Sequence, residues 1–228
     1  MSAARQTSSA SPAMRSFEAQ WHARAKDALW PVREQAMQRF LKLGMPSPRD
    51  ETWRYTDLRS LASQSFVEAP HKAPGEVQPE ATQPLLDGSH ATLLMVNGYP
   101  SLPPDAAGIN GIEIKSIRDI SLLDPSILLR FLPPPSDADQ RRWVLLNTAL
   151  FRDGLYLKIT RPLTAPLLIL HVSRGDGAND VAHPRVIIDA LPGSCATIIE
   201  HHVVQGEHTP LNNSNTHIAL AKDARLEH

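Results

Sequence analysis

Leu155-Tyr156-Leu157-Lys158-Ile159, Leu167-Leu168-Ile169-Leu170-His171-Val172 and Arg185-Val186-Ile187-Ile188 are the runs that decide the fold class. Each is short and dominated by Val, Ile and Leu. Each is followed by a break, at Gly175-Asp176-Gly177 or Pro192-Gly193, with Asp153-Gly154 before the first. Similar runs occupy residues 143–146, 196–204 and 217–220. The spacing is irregular, roughly one strand per 10–18 residues. Aliphatic residues stand at consecutive positions rather than alternating, which implies burial on both faces. No long helical stretch separates the runs, so βαβ crossovers are not expected. Two architectures fit the pattern: a β-sandwich or jelly roll, and a parallel β-helix of short rungs. Pattern alone leaves both open.

Upstream, residues 91–96 run into Asn97-Gly98, a hairpin turn signal. Residues 109–114 alternate like a short strand, residues 121–131 read as a short helix, and Pro133-Pro134-Pro135 closes that stretch. Residues 91–228 are therefore taken as one β-rich region. Residues 63–90 hold Pro70, Pro74, Pro79 and Pro84 with little periodicity, and read as a linker. Residues 15–62 read as helical. Phe17, Trp21, Ala25 and Leu29 recur at i+4 as one stripe. Pro31 suits the first turn of a second helix carrying Val32, Ala36, Phe40 and Leu43, with Gly44 as its C′ residue. Ser47-Pro48-Arg49-Asp50 looks like a further helix start, with Trp53, Leu58 and Leu61 continuing it. Residues 1–14 are read as a disordered arm. Their Ser/Ala richness, with no acid before Glu18, also mimics a transit peptide.

Composition narrows the function classes. Net charge is −1 and pI about 6.8, so no footprint for nucleic acid or an anionic membrane is present. Hydrophobic residues make up 42%, enough for a real core. No apolar run reaches membrane-spanning length. Cys195 is the one cysteine, which rules out a disulfide framework within the chain and fits a reducing compartment, read as the cytoplasm.

Three constellations could carry chemistry. Cys195 could carry sulfur or bind iron, but a small buried hydrophobe is the simpler role. Glu200, His201, His202, His208 and His217 supply metal-ligand types. On a strand, however, Glu200 and His202 share one face and His201 points to the other, so a complete three-histidine, one-carboxylate set is strained. The expectation is no metal site. Asp50, Glu51, Arg54 and Asp57 surround Trp53 and Tyr55. At these spacings they cap and decorate a helix, with the two aromatics as packing anchors against the β-core. No phosphate loop, nucleophile elbow or CxxC pair is present, so no catalytic residue is assigned.

Four blocks in order carry a family resemblance. Residues 44–58, with Asp50-Glu51-Thr52-Trp53-Arg54-Tyr55-Thr56, resemble the N-terminal signature of the SufB/SufD family of iron–sulfur cluster assembly scaffold proteins, and more closely its SufD branch. Leu146-Asn147-Thr148-Ala149-Leu150-Phe151-Arg152-Asp153-Gly154 resembles the family's approach to its core. His183-Pro184-Arg185-Val186 with Ile198-Ile199-Glu200-His201-His202 resembles the next block. Leu211-Asn212-Asn213 and residues 223–228 resemble the rung after it. The resemblance covers about residue 30 to the C-terminus.

It implies a right-handed parallel β-helix behind a helical N-terminal region. It also implies a non-catalytic scaffold subunit that pairs with a SufB-like subunit and an ABC-type SufC-like ATPase. The iron–sulfur cluster is handled by the complex, with no cofactor held firmly by this chain. On this reading the chain stops at His228 inside the β-helix, before the ATPase-docking section, and its open last rung favours self-association. Leu226-Glu227-His228 reads as family sequence or as the start of an added tail. The competing reading is a metal-dependent, cupin-like jelly-roll enzyme using His201, His202 and His217 with Glu200. A carbohydrate-active β-helix enzyme ranks last, for want of a secretory signal.

Overall fold

The computed structural model describes residues 11–48, 50–71, 91–102, 109–136, 141–175, 177 and 179–228. In chain order the elements are α1 (Pro12–His22), α2 (Trp30–Leu43), a 3-10 turn (Glu51–Trp53), α3 (Arg59–Ala62), β1 (Val67–Glu68), β2 (Ala91–Val96), β3 (Tyr99–Ser101) and β4 (Ile112–Ser116). There follow α4 (Ile117–Leu123), α5 (Pro125–Leu129), α6 (Arg142–Leu150), β5 (Leu155–Ile159), β6 (Leu167–Arg174), β7 (Asp180–Ala182) and β8 (Arg185–Ala190). The last four are β9 (Cys195–Gln205), β10 (Leu211–Asn212), β11 (Asn215–Leu220) and β12 (Arg225–Glu227).

The strands form three sheets, ordered β1-β7-β10, β11-β8-β5-β4 and β12-β9-β6-β2-β3. From β5 onward the chain visits them in rotation. The pass β5–β6–β7 is followed by β8–β9–β10 and then by β11 and β12, and each strand lies parallel to its counterpart in the previous pass. The register is regular: Leu155 lies beside Val186 and Leu167 beside Ile198, each 31 residues on. Val181 lies beside Leu211 and Cys195 beside Arg225, each 30 residues on. The two antiparallel pairs both lie at the start of the stack. They are β4 with β5 and the hairpin β2–β3, which turns through Asn97 and Gly98 at positive φ.

Val186, Ile188 and Ala190 of β8 meet Leu167 and Ile169 of β6 and Ile198 of β9 in the central apolar core. Ile187 points the other way, onto Ile117, Ile120, Leu128, Phe131 and Phe151. Every residue of β8 is therefore buried, which is why its run shows no alternation.

The reading as mainly β needs correction, because the architecture is mixed α/β with a substantial helical share. Residues 143–146, read among the strand-like runs, belong to α6. Leu145, Leu146, Ala149 and Leu150 pack on α1 and α2, and Asn147 and Thr148 are buried as well. A helix that is buried from Leu145 to Leu150 and half-buried before it shows the same unbroken apolar run as a buried strand.

The helical segment also differs in detail. Ser11 caps α1, its Oγ accepting from Met14 N–H at 3.3 Å, so helix begins inside the span read as an arm. Residues 1–10 lie outside the described residues. α1 stops at His22, so the i+4 stripe breaks. Ala25 is exposed, while Leu29 is buried at the start of α2. α2 has Pro31 in its first turn and ends at Gly44 with φ +72°, as expected. No continuous helix follows Ser47. Asp50 Oδ2 accepts from Ser47 N–H and Oγ, which holds a loop before the 3-10 turn. Within residues 63–71 of the linker span, β1 pairs with β7. Residues 72–90 lie outside the described residues.

Candidate functional site

Two polar clusters flank β8 and β9, the first buried and the second running from buried His171 to exposed His202. The first holds the helix-to-sheet joint. Asn147 Nδ2 donates to the carbonyls of Pro184 at 2.8 Å and Asn213 at 2.7 Å. Its Oδ1 accepts from Arg185 Nη1 at 2.9 Å, and Arg185 also donates to Thr148 Oγ1. Asn213 Nδ2 reaches the Trp143 carbonyl and faces His183 Nδ1 at 3.1 Å, where the amide donates and the neutral ring accepts. The blocks around Asn147, His183-Pro184-Arg185 and Asn213 thus meet in one network. Burial pulls the Arg185 pKa down to about 9. The network joins α6 to the second and third passes of the sheets, and Asn147, Thr148, His183, Arg185 and Asn213 are all buried.

Burial, with the nearby Arg24 and Arg152 charges, drives the His183 pKa down to about 3. The folded protein therefore keeps this ring neutral, whereas the unfolded chain takes a proton below about pH 6.5. The unfolded state binds more protons, so stability falls as pH drops from about 6.5 towards 3. Between pH 7 and pH 5 the loss is about 2 kcal/mol, from 1.36 kcal/mol per unit. Burial lowers the His202 and His217 pKa values too and acts in the same direction. Urea midpoints at the two pH values, for the unmodified chain and for His183→Gln, test this. The variant should lose markedly less, and equal stability at both pH values in the unmodified chain would contradict it.

The second cluster lies between β6 and β9. His171 stands beside His202 and Ile169 beside Glu200 in parallel register, so all these side chains face the same way. The two imidazoles stack with centroids 4.2 Å apart and planes 11° apart. Glu200 Oε2 meets His171 Nε2 at 2.8 Å. Its Oε1 accepts from Thr216 Oγ1 at 2.6 Å and meets His228 Nε2 at 2.8 Å. The Glu200 side chain is 8% exposed and that of His171 2%. Burial alone would raise the Glu200 pKa, but the hydrogen bonds from His171, Thr216 and His228 outweigh it and leave about 2.

The sequence candidates are only partly assembled here. His201 sits in register with Leu170, on the face opposite Glu200. His217 packs edge-on against Phe131 at 5.7 Å, on the helical side of β11. His208 is exposed, in a bridge with Gly175. The set of His201, His202 and His217 is therefore not brought together, whereas His171, absent from the sequence reading, is. A 31-residue repeat would have exposed it, because His171 and His202 are spaced as Leu155 and Val186 are.

Cys195 is exposed at the start of β9 rather than buried, because Ala196 takes the inward position. Tyr55 is 90% exposed and anchors nothing. Trp53 meets Trp143 of α6 at 6.3 Å, not the β-core. Asp50 pairs with Arg142 at 2.7 Å, Glu51 with Arg54, and Asp57 with Arg59. These acids tie down a loop.

No helix among the described residues is long and apolar enough to cross a membrane. The SufBD protein N-terminal region matches residues 14–166. The iron–sulfur cluster assembly protein SufD of Escherichia coli (strain K12) is 28% identical over 204 residues, covering 87% of this chain and 45% of that protein. An iron–sulfur cluster assembly SufBD family protein of Synechocystis sp. is 24% identical over 200 residues, covering 82% of this chain and 43% of its own length. The chain thus spans less than half the length of the curated relatives it matches. With the family region extending over most of the chain, and with its motif residues meeting in one buried joint, this chain belongs to the SufBD family.

Proposed function

We propose that this chain is part of a non-catalytic scaffold subunit of a SUF-type iron–sulfur cluster assembly complex. The observation that carries the reading is the family match over residues 14–166, with the SufD relative aligned over 87% of the chain. The buried motif network supports it, because the side chains of Asn147, His183, Arg185 and Asn213 are engaged with one another and with backbone carbonyls at the joint. The three sheets are read as the faces of a right-handed parallel β-helix, a reading supported by the recurrence at 30–31 residues.

On this reading the subunit pairs with a SufB-like β-helix subunit, and an ABC-type SufC-like ATPase docks on the complex in the cytoplasm. The cluster is cargo of the assembly. Ile199, exposed on the face of β9 turned away from Ile198 and the central core, gives apolar surface for a protein partner.

The test is to tag the full-length gene product in its source cells, purify it under anaerobic conditions and identify what comes with it by mass spectrometry. An ABC-type ATPase together with a second β-helix subunit is the expected result. Recovery of the protein alone from such cells would overturn the reading.

A further inference from the structure

We propose that His171, Glu200 and His202 form a binding site for a divalent first-row transition ion of the zinc class. The proposal stands apart from the scaffold reading and departs from the expectation of no metal site. It rests on register. β6 and β9 run parallel with His171 beside His202, and Glu200 precedes His202 by two residues on the same face. One donor atom from each residue lies within 4.8 Å of the other two.

Two imidazoles and one carboxylate suit zinc-class ions and leave a fourth position open. Zinc–ligand bonds of about 2.0–2.1 Å at tetrahedral angles set neighbouring ligand atoms about 3.3 Å apart. His171 Nε2 and Glu200 Oε2, now at 2.8 Å, therefore need to part by only about half an ångström.

The hydrogen bonds do not account for the whole cluster. His171 Nδ1 is buried with no hydrogen-bond partner among the described residues, in a ring stacked face to face on His202. The ring nitrogen turned to Glu200 is the other one, Nε2, and it is the atom that would hold the ion. A carboxylate this deeply buried is held by pairing or by coordination. Thr216 Oγ1 and His228 Nε2 hold Glu200 through its other oxygen, Oε1, so Oε2 is oriented towards the two rings. An open cleft of about 340 Å³, lined by Ser173, His202, Val203, Val204, Asn212 and Ser214, reaches His202 from outside.

The test uses the untagged chain stripped of metal and titrated with Zn²⁺ alone, in competition with a chelating dye. One zinc per chain is expected. Glu200→Gln and His202→Ala should each weaken binding by about tenfold or more. His201→Ala, on the opposite face, should leave the affinity unchanged, and zinc should raise the melting temperature of the unmodified chain and of His201→Ala alike. Should the site variants not fold, diethyl pyrocarbonate labelling of the unmodified chain replaces them. Zinc is then expected to shield His202 while His201 stays reactive. Affinity unchanged in both Glu200→Gln and His202→Ala, equal loss in His201→Ala, or equal labelling of His201 and His202 with zinc present would each overturn the site.

Discussion

Gly154→Ala should destabilise the chain by about 3 kcal/mol, lowering the melting temperature by about 6–12 °C for a domain of this size. Gly154 has an ordinary φ, so the cause is space and not backbone strain. A Cβ there would sit 2.1 Å from the Arg185 carbonyl oxygen and 2.9 Å from both the Arg185 carbonyl carbon and Ile117 Cδ1. The obstructing atoms are mostly backbone. They cannot turn aside as a side-chain tip can, and Arg185 is itself held by Asn147 and Thr148. On the other side, the Gly154 carbonyl accepts from Ile117 N–H at 2.9 Å, which ties it to the start of α4.

Gly193→Ala is the control. It has φ +73° and no neighbour within 4 Å, so only the left-handed backbone penalises the substitution, by about 1–2 kcal/mol. Thermal unfolding of the two variants side by side should show Gly154→Ala clearly the worse. Equal losses would mean that the approach of β5 to β8 is not as tight as the geometry has it.

Asp153-Gly154 illustrates what the sequence offers and what it withholds. As a dipeptide it reads as a turn, and the same letters would be written for a turn. Here the glycine serves a crossing of two chain segments, and Asp153 Oδ1 collects Ser116 Oγ and the N–H groups of Arg118 and Gly154. The Asn97-Gly98 turn was legible because its chemistry is local: both residues take positive φ in the hairpin. The strands at Leu155, Leu167 and Arg185 were legible because burial on both faces leaves an unbroken aliphatic run.

Residues 143–146 show the limit of that signal, since a helix packed on α1 and α2 writes the same run. The 30–31 residue recurrence is present in the sequence, yet it is carried by matched positions rather than matched residues. Leu155 pairs with Val186 and Lys158 with Asp189, so a search by identity passes over it. His171 was missed for this reason. It sits alone in an aliphatic strand, and only the register places it beside His202. Tyr55 and Cys195 failed differently. Their exposure depends on which way a loop and a strand start turn, and no periodicity reports that.

Asn147→Ala should cost about 4 kcal/mol, with a fall in melting temperature of about 8–16 °C. The side chain is fully buried and satisfies three groups at once: the Pro184 carbonyl, the Asn213 carbonyl and the Arg185 guanidinium. Removing it takes the side-chain donor from the Asn213 carbonyl, at about 1–3 kcal/mol, and one of two partners from the Pro184 carbonyl, which keeps Asn215 N–H at 3.0 Å, and from Arg185 Nη1, which keeps Thr148 Oγ1, at about 0.5–1.5 and 1.5–3 kcal/mol before allowance for relaxation. Asn147→Asp gives the second arm. It keeps an acceptor for Arg185 but sets a charged oxygen against two carbonyl oxygens, so it should also destabilise.

The contrast with surface positions makes the experiment informative about function. If the family blocks marked a reaction centre, changing Asn147 would abolish an activity while leaving the unfolding midpoint near that of the unmodified chain. If they mark the joint between the helical cap and the stacked strands, stability falls first. Urea unfolding of both variants decides between the two. A loss under about 1 kcal/mol in Asn147→Ala would show that the network is not what holds α6 to β8.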